Sequence, residues 1–181
     1  MKEKHHLIET EFLNLLEIHR FRTITIKMIC EAADINRSTF YAYYLDKYDL
    51  LDRMIDNHLN AISQLVEETS HNMLSAEDKK PLIKKYFIDL FTYIYDHQQF
   101  FRVLMTIHPA QDFTQKLIKT LRMNYTKSIN DNASLKDPKY FVNYTLGGQF
   151  GIIFFWLQNH CAEPPELIAD IVYRNMIRLN R

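Results

Sequence analysis

Apolar side chains recur along this chain at steps of three and four, with no stretch of strict alternation. Ile8, Phe12, Leu15 and Leu16, with His19, mark an amphipathic helix over residues 4–19. Thr25 can accept from first-turn amides, so it predicts a short helix through Ala33 with Ile26 and Ile29 turned inward. Asn36 caps a third helix through about Tyr44. Asp46 caps a fourth that starts at Lys47 and runs through Leu50, Met54, Ile55, Leu59, Ile62 and Leu65. The polar stretch 69–80 predicts a loop. Pro81 then opens a helix carried by Ile83, Phe87, Leu90, Phe91 and Ile94, and Phe100, Phe101, Leu104 and Met105 carry a shorter one. Pro109 opens another through Tyr125, 130–138 is a second loop, 140–159 is one long apolar helix, and Pro164-Pro165 begins the last. The expected fold is all-α with about nine helices. A three-helix unit over residues 1–50 precedes a helical bundle over 51–181.

Composition narrows this reading little. Three glycines and five prolines in 181 residues favour long regular elements. Cys30 and Cys161 are too few and too far apart for a disulfide framework or a thiolate metal site, which fits a reducing, cytoplasmic setting. The apolar run Phe150–Leu157 falls far short of the ~20 residues of a membrane span, and the N-terminus lacks the apolar core of a signal peptide. No membrane partner is expected.

Formal net charge is zero, so any nucleic-acid face must be local. Between residues 20 and 47 stand Arg20, Arg22, Lys27, Arg37 and Lys47 against Glu31, Asp34 and Asp46. Those residues also carry the chain's most informative spacing. Ile29, Cys30, Ala33 and Ile35 are compact enough for two helices to cross closely. Asp34 stands where the chain turns through a left-handed conformation, which Asp tolerates better than most residues. In the next helix Phe40 and Tyr44 are four apart and share an inward face, so Arg37, Ser38 and Tyr41 share the outer one. Such a pair of helices is a helix-turn-helix, whose second helix enters a DNA groove and reads bases near its N-terminus. Lys47 and the amides beside it could hold a phosphate.

Thr25, Thr39-Phe-Tyr-Ala-Tyr-Tyr44 and Lys47-Tyr-Asp-Leu50 resemble the signature of TetR-family transcriptional regulators. The resemblance runs from Ile24 to Leu50. It implies that Lys27, Arg37, Ser38 and Tyr43 lie at bases or nearby phosphates, and that Thr25, Thr39, Tyr41 and Lys47 grip the backbone; Asn36 joins the expected DNA-binding set by its place at the N-terminus of the second helix. Two departures stand out: Asp34 replaces the usual glycine, and Tyr44 the usual Phe.

All three glycines, 147, 148 and 151, fall in one predicted helix, where each costs about 1 kcal/mol against alanine. Close approach of another helix would explain them, either a neighbour in the same chain or the same helix of a second subunit. Dimerisation of TetR-like regulators through their last two helices makes Gly147, Gly148, Gly151, Phe155, Ile168, Ile171 and Val172 the expected homodimer interface. The Gly-Gly-Gln-Phe-Gly and Trp-Leu pattern also resembles the subset that includes regulators of dihydroxyacetone kinase operons. Phe87, Phe91, Phe101, Met105, His108 and Trp156 could line an effector pocket, although aromatic stripes at helical spacing are the ordinary material of cores.

The resulting expectation is a homodimeric repressor of a palindromic double-stranded DNA operator, modulated by a small molecule or a protein co-regulator. A helical co-regulator without DNA contact is the alternative. Neither metal-ligand histidine spacing nor a nucleophile–base pair, phosphate loop or carboxylate pair is legible, so no metal, cofactor or enzymatic activity is expected.

Overall fold

The computed structural model describes residues 2–74, 76–108, 111–130 and 137–179. Among them are nine α-helices and no strand: α1 Lys2–Ile18, α2 Ile26–Ala32, α3 Arg37–Tyr41, α4 Lys47–Leu74, α5 Lys80–Asp96, α6 Gln98–Arg102, α7 Gln111–Asn130, α8 Pro138–Gln158 and α9 Pro165–Leu179. A 3₁₀ turn, Phe21–Thr23, joins α1 to α2, and a π-helical turn, Val103–Ile107, follows α6 directly.

Local chemistry explains the ends of the early helices. The Thr25 hydroxyl accepts from the Met28 amide at 3.2 Å, Asn36 Oδ1 from Thr39 at 2.8 Å, and Asp46 Oδ1 from Tyr48 and Asp49, both at 2.8 Å. Each cap meets amides that the first turn leaves unbonded. The expected span of α3 was too long, because the helix stops at Tyr41. The amides of Ala42 and Tyr43 close on carbonyls three residues back, which tightens the chain into the turn before α4. The predicted loop at 69–80 is also partly helical. Its Thr69 hydroxyl donates to the Leu65 carbonyl four residues back, and α4 runs on to Leu74. The start of α7 at Pro109 and most of the second predicted loop lie outside the described residues.

α1 packs on α2, and α2 on α3, around Ile8, Phe12, Leu16, Ile24, Ile29, Phe40 and Tyr44. α4 begins under this unit and extends into the bundle, so residues 50 and 51 belong to one unbroken helix. In the bundle α4 lies on α5 and α7, α7 on α8, and α5 on α9, with Phe87, Phe91, Phe101, Phe113 and Trp156 fully enclosed. Among the described residues no helix is long and apolar enough to cross a membrane.

Candidate nucleic-acid interface

The crossing of α2 and α3 depends on one left-handed residue. Asp34 has φ 48°, which lets the Ile35 amide fold back to the Cys30 carbonyl at 2.9 Å. The Asp34 amide reaches Glu31 in the same sense, at 3.4 Å, and Ile35 packs against the core beside Cys30. This is the six-to-one closure that usually takes glycine; a short polar side chain bears it at a modest cost.

With the corner set, α3 and the turn that follows it divide into two faces. Phe40 and Tyr44 are buried. The Tyr44 hydroxyl donates to Glu9 Oε1 at 3.3 Å, and the Arg53 guanidinium lies 5.7 Å from the ring centroid. These contacts account for a tyrosine where phenylalanine is usual. Burial, and then the Glu9 carboxylate, hold that phenol above its ordinary range. Arg37, Ser38 and Tyr41 face outward, Tyr41 with 54% of its surface exposed. Thr25 and Lys27 are exposed on α2, where Lys27 pairs loosely with Glu31 at 3.6 Å.

Asn36, Ser38 and Thr39 are tied together. Both hydroxyls donate to Asn36 Oδ1, at 2.6 and 2.9 Å, which leaves their oxygens free to accept. Tyr43 is half-buried against His5, with ring centroids 6.3 Å apart, so it leans toward α1.

Lys47 departs most from its sequence-based role. Its ammonium donates to the carbonyls of Phe21 at 2.8 Å, Arg22 at 3.2 Å and Ile24 at 2.7 Å, and stands 4.8 Å from the Phe21 ring centroid. Three N–H groups thus meet three acceptors, leaving no donor for a phosphate. The amides of Tyr48 and Asp49 are likewise taken by Asp46.

In the larger domain, Phe87, Phe91, Phe101, Met105 and Trp156 are all buried. Phe91 meets Trp156 edge-on at 5.7 Å, and the Trp156 indole donates to the Glu163 carbonyl at 3.0 Å. His108 instead turns to α1, with Nε2 2.8 Å from the Leu16 carbonyl oxygen. None of these six residues lines the groove of about 640 Å³ between α8 and α9, which Asn143, Thr145, Gly148, Gln149, Val172 and Met176 border. Beside it, the Thr145 hydroxyl is buried with no hydrogen-bond partner among the described residues.

Of the residues expected at a dimer interface, the glycines and Phe155 are exposed. Ile168 and Val172 are buried within the chain, where α9 packs on α5, and Ile171 is half-buried. Among the described residues, a Cβ built on any of the three glycines meets nothing within 4 Å, so no described neighbour within the chain explains them.

A family model describing the C-terminal region of TetR-type transcriptional regulators matches residues 83–178, more than half of the chain. The chain belongs to the TetR family of transcriptional regulators. The HTH-type transcriptional regulator YxbF of Bacillus subtilis (strain 168), itself uncharacterised, is 24% identical over 168 residues. That match spans 92% of this chain but only 43% of YxbF. Among solved structures, SmeT, the repressor of the Stenotrophomonas maltophilia multidrug efflux pump SmeDEF, superposes with a TM-score of 0.75 at 14% identity, covering 97% of this chain and 89% of SmeT. The dihydroxyacetone kinase operon activator DhaS gives 0.65 at 16%, covering 97% and 95%. At these identities the likeness is one of fold.

Two features of this TetR-family chain have no signal in its sequence. Tyr48 is exposed on the first turn of α4, edge-on to Phe21 at 5.1 Å, beside the Lys47 clamp. Half-buried between α4 and α5, His58 Nδ1 and the Tyr93 hydroxyl share a hydrogen bond of 2.7 Å, with the exposed His97 ring and the buried Phe100 ring against His58 at 4.9 and 3.9 Å. Burial, and then His97, push His58 down to about 4, and burial pushes Tyr93 up to about 12. Residues 35 apart on two helices leave no local pattern for such a pair. Among the described residues no group of side chains could hold a metal ion.

Proposed function

We propose that this TetR-family chain is a homodimeric repressor that binds a palindromic operator and is modulated through its C-terminal domain. The observation that carries this reading is the outer face of α3, where Arg37, Ser38 and Tyr41 stand exposed on a helix fixed by two buried aromatics and a capped N-terminus. A helix with an exposed guanidinium at its N-terminus and an exposed phenol one turn further on suits base edges and phosphates in a major groove. Thr25 and Lys27 on α2, and Tyr48 on α4, supply backbone contacts around it. Lys47 acts behind them, holding the α1–α2 connection.

Dimerisation is supported by an exposed apolar stripe along α8. Tyr140, Tyr144, Gly148, Gly151 and Phe155 follow one another at helical spacing, with Tyr144 68% and Phe155 64% exposed. A second copy laid along the stripe would bring helix backbones together at the glycines and cover the aromatics. Two recognition helices one DNA turn apart, about 34–36 Å, would then read a palindrome. The effector is proposed to act on the aromatic core around Phe91, Phe101, Met105 and Trp156.

A helical co-regulator that binds protein is the second reading, favoured by the internal use of the Lys47 charge. A gel shift with the DNA upstream of the chain's own gene separates the two. A salt-sensitive, sequence-specific shift is expected, and it should be abolished in the Arg37→Ala/Tyr41→Ala variant. No shift, or a double variant that binds like the parent, would overturn the DNA-binding reading.

A further inference from the structure

No basic residue stands in the last turn of α1, and the Leu16 carbonyl belongs to the group that a helix end leaves without an intrahelical amide. The His19 amide closes on Leu15 at 2.8 Å, after which the chain becomes extended at Arg20. The missing donor arrives from 92 residues away. His108 Nε2 lies 2.8 Å from the Leu16 oxygen and 3.1 Å from the His19 oxygen. Carbonyl oxygens only accept, so Nε2 carries the proton and donates to both.

Two neighbouring ties run the same way. Gln99 Nε2 donates to Asn14 Oδ1 at 2.8 Å, and Arg102 pairs with Glu17. The second half of α1 is therefore held along its length by α6 and the turn that follows it. That half contributes Phe12, Leu13 and Leu16 to the core on which the helix-turn-helix stands.

The π-helical turn delivers His108. Its amide closes on the Val103 carbonyl at 2.8 Å, five residues back instead of four. Such turns are rare and are found frequently at functional places. Here Val103, Leu104 and Met105 are buried in the core of the larger domain, and the residue that ends the turn caps a helix of the smaller one. Drawing the turn into α-helical register would swing each following side chain by about 100° and carry His108 off α1.

We infer that the π-turn and His108 form a latch between the two domains. Packing around Val103–Met105 sets the turn, and the turn sets whether α1, and with it the helix-turn-helix, is held in place. His108 is a positioning residue acting through α1. Its regulatory meaning rests on the DNA-binding proposal; the coupling itself does not.

Hydrogen exchange on the full chain tests it without DNA. His108→Ala leaves both carbonyls open, whereas the His108→Gln amide can still donate to them. In His108→Ala, amides of residues 12–44 should exchange roughly tenfold faster while those of α8 and α9 keep their rates. His108→Gln should restore the parent's pattern. Unchanged rates over 12–44, equal acceleration of every helix, or failure of glutamine to rescue would each overturn the latch. If His108→Ala does not fold, Arg102→Gln cuts the adjacent tie. It should give the same selective acceleration, and uniform or absent acceleration there rejects the proposal.

Discussion

The ammonium of Lys47 donates to the carbonyl oxygen of Ile24 at 2.7 Å, and through Phe21 and Arg22 it gathers the whole α1–α2 connection under the start of α4. Lys47→Met keeps the apolar stem and removes the donors, so three carbonyls are left without their charged partner. A drop of about 2 kcal/mol in urea unfolding is expected. Lys47→Arg should rescue little, since a planar fork cannot converge on three oxygens as an ammonium can. Wild-type stability in the methionine variant would return Lys47 to the DNA face.

Arg37 is exposed at the first position of α3. Under the DNA-binding proposal, Arg37→Ala should weaken operator binding by about 1–3 kcal/mol. The salt dependence tells a base partner from a phosphate partner. If the guanidinium meets phosphate, the slope of log K against log salt becomes shallower by about 0.9 for each phosphate no longer neutralised. If it reads a base, the slope stays and discrimination between operators falls.

His58 gives the fold a defined acid sensitivity. Its folded value of about 4 lies below the ordinary 6.5, so the unfolded chain binds the extra proton first. Stability from this residue is complete above pH 6.5 and is lost as pH falls from there toward 4. The limiting slope is about 1.4 kcal/mol per pH unit. His58→Gln should flatten the pH dependence of Tm across that window, and an unchanged profile would place the acid sensitivity elsewhere.

The exposed stripe on α8 predicts two opposite responses from one substitution. Gly148→Ala adds a methyl group into open space within the chain, so a lone protomer should gain about 1 kcal/mol of helix stability. If a second copy's backbone lies against that glycine, the same methyl group weakens the dimer. Phe155→Glu provides the stronger test, because it places a carboxylate within the stripe. Sedimentation should show the parent as a dimer and this variant as a monomer at micromolar concentration. A monomeric parent would end the dimer proposal.

Short-range chemistry made the N-terminal third of the chain legible. Thr25, Asn36 and Asp46 act within three residues of themselves, so their caps could be read directly, and Asp34 had to be left-handed for α2 to meet α3. The inward turn of Phe40 and Tyr44 followed from their spacing. What escaped was long-range. Lys47 reads as a surface cation until the carbonyls of Phe21 and Ile24 come beside it, and His108 reads as part of a core stripe until α1 ends in front of it. Ile168 and Val172 share a helix with Ile171, but only the packing of α9 on α5 shows that those two face inward.

The π-turn at Val103–Ile107 also bears on how this chain aligns with its relatives. A helix that closes one step on five residues instead of four accommodates one residue more than a regular helix of the same course. Relatives that run an ordinary α-helix through this place should therefore be one residue shorter between the counterparts of Phe101 and Phe113. A single-residue gap at that point would record where the turn was gained or lost.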